Sequence, residues 1–352
     1  SFIPEFKLLL ASKLNDVEME LQKFPPLCTT DAARTVRTEA MLRQVNNTLH
    51  DILNGSAHFK DKKMHLPSIW DKKVNEFEAT LRKATPDFFG AQFKAILKQN
   101  MDEVQGASLP NFMSTPVFRK ALQTIYFDRS SASNPIDGVM KLATHTIVAG
   151  IGEAMLVSIQ LIMEEHMAES PKLYSFLKES VEEMIKSRSS FVTEHVKIML
   201  NAELVKPHTH NHYYADTIAK VKEQIQARVR DPADDNWDEI EDVPSSFLYT
   251  TAVAFKNGQS NFEQSICDMQ LSLFAYCKAM RKCVVDVVAK LVWSEMMHTV
   301  DMDLTQVLKQ SVSDATLLER LMAEDRATAH KREKLKTTME RFSKSLSVLK
   351  SV

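Results

Sequence analysis

The sequence predicts an all-α fold, an elongated antiparallel bundle of long helices, on three observations. Glycine is scarce, 7 of 352 residues, and the 12 prolines are too few to punctuate a sheet-rich chain of this length. Apolar residues recur at alternating steps of four and three, the spacing that lines one stripe of a helix and packs it against a neighbour. No internal repeat of solenoid length is present, so the helices belong to a bundle and not to a stacked array.

Each element follows from that spacing. Leu10, Leu14, Val17, Leu21 and Phe24 form a first stripe, stopped at Pro25-Pro26, where a missing N–H and a ring clash end a helix. Leu42, Val45, Leu49 and Ile52 form a second, closed by Asn54-Gly55. Trp70, Val74, Phe77 and Leu81 form a third, followed after Pro86 by a helix through Phe93 and Leu97. Gly106 to Phe112 is a loop, and Thr115-Pro116 supplies a cap and a first-turn proline for a helix reaching Phe127. Beyond the Ser130–Pro135 break, a long helix carries Ile147, Ile159 and Met163. The next runs from Pro171 to Leu204 through Leu177, Val181, Met184, Phe191 and Val196 and stops before Pro207; a shorter one spans Tyr213 to Val229.

The stretch from Asp231 to Asp242 is acidic and flanked by Pro232 and Pro244, the composition of a solvated loop. From Asn261 to Leu308 the apolar pattern is unbroken, which predicts one helix of roughly 60 Å at about 1.5 Å per residue. Leu335, Met339, Phe342, Leu346 and Leu349 give the cleanest heptad.

Composition removes several function classes. Lys and Arg (44) nearly balance Asp and Glu (46), so no global field favours nucleic acid or an anionic membrane. Cys28, Cys267, Cys277 and Cys283 form no C-x-x-C pair, which argues against a zinc site or a disulfide scaffold and points to the cytoplasm. The apolar run from Ile147 to Met163 holds Glu153 and two glycines and reads as a buried helix. No G-x-x-x-x-G-K-[ST] occurs, so the chain has no lysine-tipped phosphate cradle.

Leu317-Leu318-Glu-Arg-Leu321-Met-Ala-Glu324-Asp325, followed by Lys331-Arg332-Glu-Lys-Leu335, resembles the GTPase effector region of dynamin-superfamily proteins. Phe274-Ala-Tyr276 with Val284 to Val288 resembles that family's last stalk helix. Glu18-Met-Glu20-Leu21-Gln22-Lys23-Phe24, Leu109-Pro110-Asn-Phe112 and the segment from Glu203-Leu204 to His212-Tyr213 resemble middle-domain motifs in the same order. The stretch after Asp231 is too short for a pleckstrin-homology domain, which favours the Mx and fungal dynamin-like branch.

The resemblance implies a stalk that assembles into dimers, tetramers, rings or helices, and that couples GTP hydrolysis in a separate N-terminal domain to membrane remodelling or encirclement of a target. GTP and magnesium belong to that absent domain; this chain is expected to carry no cofactor, no metal and no catalytic residue. Residues 1–328 then form the stalk, with a loop over 230–260, and residues 329–352 a heptad helix that relays motion to the GTPase domain through Arg332, Leu335, Met339, Phe342 and Leu346, its other helices lying outside this chain. Val288, Val292, Trp293, Met296, Met297 and Leu204 are the expected oligomer interface. The expected assembly loops hold Gly55, Lys60, Lys62 and Lys63, and Gly106, Leu109, Pro110 and Phe112. Gly106-Ala-Ser-Leu109-Pro-Asn lacks the arginine and second glycine usual before and within that motif, which weakens higher-order assembly.

The expected partners are a second copy, the GTPase domain of the same protein and, peripherally, a membrane, met elsewhere than at residues 231–242. Acidic residues there would be repelled from an anionic bilayer by about 1 kcal/mol each if the figure for basic residues transfers. His208, His210 and His212 stand at alternate positions, as three ligands of an open zinc site would, but Pro207 makes the segment a helix–helix turn and no fourth ligand follows. Gly150-Ile-Gly152 has Met at position 155 and no strand before it, so it is no dinucleotide fingerprint. The 18 methionines fall mostly on the helical stripes and serve as core filler. The alternative from another class is a helical tether or adaptor unrelated to any GTPase.

Overall fold

A computed structural model describes residues 2–55, 65–103, 114–126, 138–231 and 240–350. All regular elements among them are helices: α1 (Phe2–Gln22), α2 (Asp31–Leu53), α3 (Leu66–Ala84), α4 (Ala91–Asp102), α5 (Thr115–Tyr126), α6 (Val139–His166), α7 (Pro171–Val205), α8 (His212–Arg230), α9 (Ser245–Lys256), α10 (Asn261–Val292), α11 (Val300–Ser311), α12 (Ala315–Met322) and α13 (Arg326–Lys350). The chain divides into two compact units. Unit 1 gathers Ser1–Ile52, Leu156–Met184 and Asp301–Val352; unit 2 gathers Leu53–Met155 and Ile185–Val300.

In unit 1, α1 packs along α13. Leu10 is buried in that seam while Leu14, Val17 and Leu21 of α1, and Leu335, Met339, Phe342, Leu346 and Leu349 of α13, are half-buried, as expected when each stripe meets a single neighbouring helix. The expectation that the terminal heptad finds its partners only outside this chain is therefore corrected: α1 carries a matching stripe and is one of them. On α2, Leu42, Val45, Leu49 and Ile52 are buried as their spacing requires.

Unit 2 is organised by α10, which packs against α3, α4, α5 and α8. The predicted single helix from residue 261 to 308 is corrected, because a π-helical turn at Trp293–His298 separates α10 from α11. The buried residues give the reason. Val284, Val288, Val292, Met296 and Val300, none more than 2% exposed, follow one another by fours. Each such step overshoots an α-helical turn by about 40°, so the stripe would rotate off the core. The wider π turn takes up the surplus residue and keeps the stripe inside. The expected loop over 230–260 is also corrected, since α9 lies within it and packs on α8.

Helix α6 is long and apolar enough to cross a membrane by length and composition alone. Ile147, Ile151, Ile159, Ile162 and Met163 are each at most 1% exposed, as core residues are. Gly152 lies inside this helix where it approaches α7, and a Cβ there would stand 2.9 Å from Ser189 Oγ, so a larger residue would displace that hydroxyl.

Candidate functional site

The predicted coupling helix meets the rest of unit 1 at a joint built around Pro25-Pro26. Two prolines end α1 and contribute carbonyls but no N–H groups, so the turn into α2 must find donors elsewhere. Three arginines supply them. Arg332 of α13 donates from Nη2 to Pro25 O at 2.7 Å, Arg37 of α2 donates to Pro26 O at 2.5 Å, and Arg34 donates to Cys28 O at 3.2 Å. Each also holds a carboxylate: Glu324 receives Nε and Nη2 of Arg332 at 3.0 and 2.8 Å, Glu169 pairs with Arg37, and Glu319 lies 3.1 Å from Arg34.

Arg332 is only 8% exposed, and its guanidinium carbon stands 5.2 Å from the centre of the Phe24 ring. The ring adds a cation–π contact to an arginine that is already paired. A cleft of about 490 Å³ runs through this joint, lined by the three arginines together with Lys172, Glu169, Glu319 and Glu324. The motif from Leu317 to Asp325 acquires local reasons here. Asp314 caps α12 through the amides of Thr316 and Leu317, Leu318 is buried, and Asp325 caps α13 through those of Ala327 and Thr328. The hydrogen bonds with Thr328 and Ala327 hold the Asp325 carboxyl below its usual range.

Of the predicted coupling residues, the structure thus brings Arg332 into the joint and places Leu335, Met339, Phe342 and Leu346 along the α1 seam. Sequence reasoning missed Arg34, Arg37, Glu169 and Glu319. The signal available was a double proline whose carbonyls needed donors, with two arginines one helical turn apart on the next helix.

The predicted oligomer interface is corrected. Val288, Val292, Met296 and Met297 are at most 1% exposed within unit 2, so they are core and have no surface to offer a second copy. Trp293 is half-buried and packs edge-on against Trp70 of α3, with ring centres 5.0 Å apart; Trp70 Nε1 donates to Ala289 O at 3.3 Å. Leu204 lies on α7, but its side chain is outside the described residues.

An outward stripe occurs elsewhere in unit 2. On α7, Phe191, Ile198 and Val205 are 46%, 60% and 71% exposed, with His195 and Ala202 exposed between them, while Val192, Val196 and Leu200 of the same helix are buried. The imidazole Nδ1 of His195 lies 2.8 Å from Phe191 O, and its ring lies 4.0 Å from that of Phe191.

Gly55 has a positive φ of 66°, the left-handed turn expected after α2. Lys60, Lys62, Lys63, Gly106, Leu109, Pro110 and Phe112 lie outside the described residues, as does most of the acidic stretch. At the α7–α8 turn, the Nε2 atoms of His208 and His210 are 3.0 Å apart, and His212 opens α8. The Tyr276 hydroxyl of α10 ties that turn down by accepting from the His208 amide at 3.2 Å and donating to Glu203. Burial, then the Glu203 bond, push its pKa well above the ordinary phenol value.

No curated protein matches the chain at significant similarity. Residues 1–223 match the Dynamin central region and residues 262–352 match the Dynamin GTPase effector domain. These matches remove the tether unrelated to any GTPase, and with the all-α architecture and the effector-region motif at the arginine joint they establish that the chain belongs to the dynamin family.

Proposed function

We propose that this chain is the stalk of a dynamin-like GTPase that self-associates through the outward face of α7 and passes motion from the α1–α13 pair through the arginine joint. The observation that carries the self-association reading is the stripe of Phe191, His195, Ile198, Ala202 and Val205, spaced by four and three over about two heptads. Such a stripe is self-complementary about a two-fold axis. With the axis crossing α7 between His195 and Ile198, Phe191 faces Ala202 of the second copy, large against small, and His195 faces Ile198. Isolated exposed apolar residues need no explanation, whereas a continuous seam does.

The joint suits transmission because each arginine binds both a loop carbonyl and a carboxylate, so a displacement of α13 pulls through Arg332 on the turn after α1 and on Glu324 in the connection from α12, while Arg34 ties α2 to Glu319 of α12. The sequence holds no phosphate loop for GTP and magnesium, so hydrolysis falls to another domain, and this chain's part is to gather copies and carry force. Membrane remodelling or target encirclement follows from that role in a cytoplasmic setting, with lipid met elsewhere than at the acidic stretch.

Light scattering behind size exclusion, across a concentration series, tests the reading. The parent is expected as a dimer or larger species and Ile198→Asp as a monomer with unchanged helical circular dichroism. A parent that stays monomeric at the highest concentration overturns self-association. A dimeric Ile198→Asp variant moves the interface off α7.

A further inference from the structure

We infer that unit 2 contains a binding site for a small organic anion, formed where the turn between α3 and α4 meets α10, with Arg281 as the residue that receives the charged head. Phe274, Lys278 and Arg281 stand at i, i+4 and i+7 on one stripe of α10. Together with Arg82, Asp87, Phe89 and Asp242 they line a cavity of about 330 Å³, at the lower end of the range for small-molecule sites.

The cations in this cavity are in different circumstances. Lys278, 6% exposed, reaches Glu241 Oε2 at 2.9 Å and Glu241 O at 3.3 Å. Arg82 reaches Glu241 and Asp242 at 3.1 and 3.2 Å. Arg281, also 6% exposed, makes no hydrogen bond or ion pair among the described residues, and its Nε is a buried donor without a partner. A guanidinium stripped of water and left unpaired is unfavourable, and nine-tenths-buried arginines are ordinarily paired. The missing partner is an anion presented in the cavity, which a guanidinium fork grips through two parallel N–H donors.

The rest of the lining selects what that anion is attached to. Phe89 and Phe274 lie with ring centres 5.1 Å apart and tilted, and Phe88 stands edge-on to Phe274 at 6.0 Å. Phe89, half-buried, offers its ring to a flat apolar body, with Phe88 and Phe274, each 3% exposed, packed behind it. Asp87 and Asp242 on the same wall oppose a second negative charge, so a single phosphoryl or carboxylate head fits and an extended polyphosphate does not. The ligand class is therefore a one-headed aromatic phosphate or carboxylate.

Phenyl phosphate is the first probe, titrated calorimetrically into the whole chain, with inorganic phosphate, benzoate and pyrophosphate in parallel. Saturable one-to-one binding of phenyl phosphate or benzoate is expected, at least tenfold tighter than inorganic phosphate or pyrophosphate. The Arg281→Met variant is expected to lose at least tenfold in affinity while its ligand-free melting temperature stays level or rises. Bound probe should raise the melting temperature of the parent and not of the variant. Absence of saturable binding by either aromatic probe overturns the site, as does equal affinity for inorganic phosphate, which would leave the rings without a role. A ligand-free Arg281→Met variant that melts lower than the parent also overturns it, because Arg281 would then already have its partner within the protein.

Discussion

Arg332 in unit 1 and Arg281 in unit 2 are buried to nearly the same degree, 8% and 6% exposed, and stand in opposite electrostatic surroundings. The first donates to Glu324 through two nitrogens and to a proline carbonyl through one of them, with a phenyl ring beside it. The second bonds to nothing among the described residues. Burial of a charge therefore says little until its partners are counted. Where they are all present the residue ties segments of the fold together; where they are missing it marks the place at which we propose that an anion binds.

The same substitution at both sites should separate them most sharply. Arg332→Met strands the Glu324 carboxylate, whose side chain is only 17% exposed, and leaves the Pro25 carbonyl without its donor. Breaking one partner of such a buried pair costs about 3–5 kcal/mol. Urea unfolding followed by circular dichroism should show a loss of that size, and a loss under about 1 kcal/mol would mean that water repairs the joint. Glu324→Gln keeps the shape and removes the charge, so a smaller loss of roughly 1.5–3 kcal/mol is expected, the range for hydrogen bonds to charged groups. Arg281→Met should leave stability level or raise it, because replacing an uncompensated buried charge by an apolar chain removes a desolvation penalty without breaking a bond. Equal losses for the two methionine variants would erase the contrast.

How legible each region was in the sequence differs for physical reasons. The helices and their inner stripes could be read because burial imposes a period, and Pro25-Pro26 marked the end of α1 because proline removes a donor. Arg332 stands in the effector-region motif, but Glu319 and Glu169, which pair with Arg34 and Arg37 in the same joint, come from distant parts of the chain and leave no periodic trace. The α10 and α7 stripes show the limit most clearly. Val288 to Met297 and Phe191 to Val205 both look like apolar seams in the sequence, yet the first faces the core and the second faces outward. Periodicity reports that a face is apolar, not what lies against it, and α7 carries two such faces. Helix α9 escaped because it is short and follows the prolines and acids of the preceding stretch. The π turn was legible in principle, as a run of fours without an intervening three, but that arithmetic becomes meaningful only once Val284 to Val300 are known to share a buried side.

The smallest predicted effect concerns the acid that occupies Lys278 beside the unpaired Arg281. The hydrogen bond from Lys278, then its charge, hold the Glu241 carboxyl below the ordinary value, with lesser pulls from Arg82 and Arg281. A depressed folded-state pKa means that the contribution is fully present above the unfolded value of about 4.3 and is lost as pH falls through the lowered folded value. Glu241→Gln should therefore lie slightly below the parent in melting temperature at pH 7 and converge with it as the solution is taken below about pH 4, where protonation has already removed the parent's advantage. Because the Glu241 side chain is 58% exposed, solvent and salt screen the pair and the difference at neutral pH is modest. Melting curves at neutral and acid pH, repeated at high salt, measure it. A difference that persists unchanged into acid would show that the substitution acts through the Glu241 backbone carbonyl that also accepts from Lys278 and not through the carboxylate. Convergence would leave Lys278 satisfied by the protein, and Arg281 as the cation in this cavity that still lacks an anion.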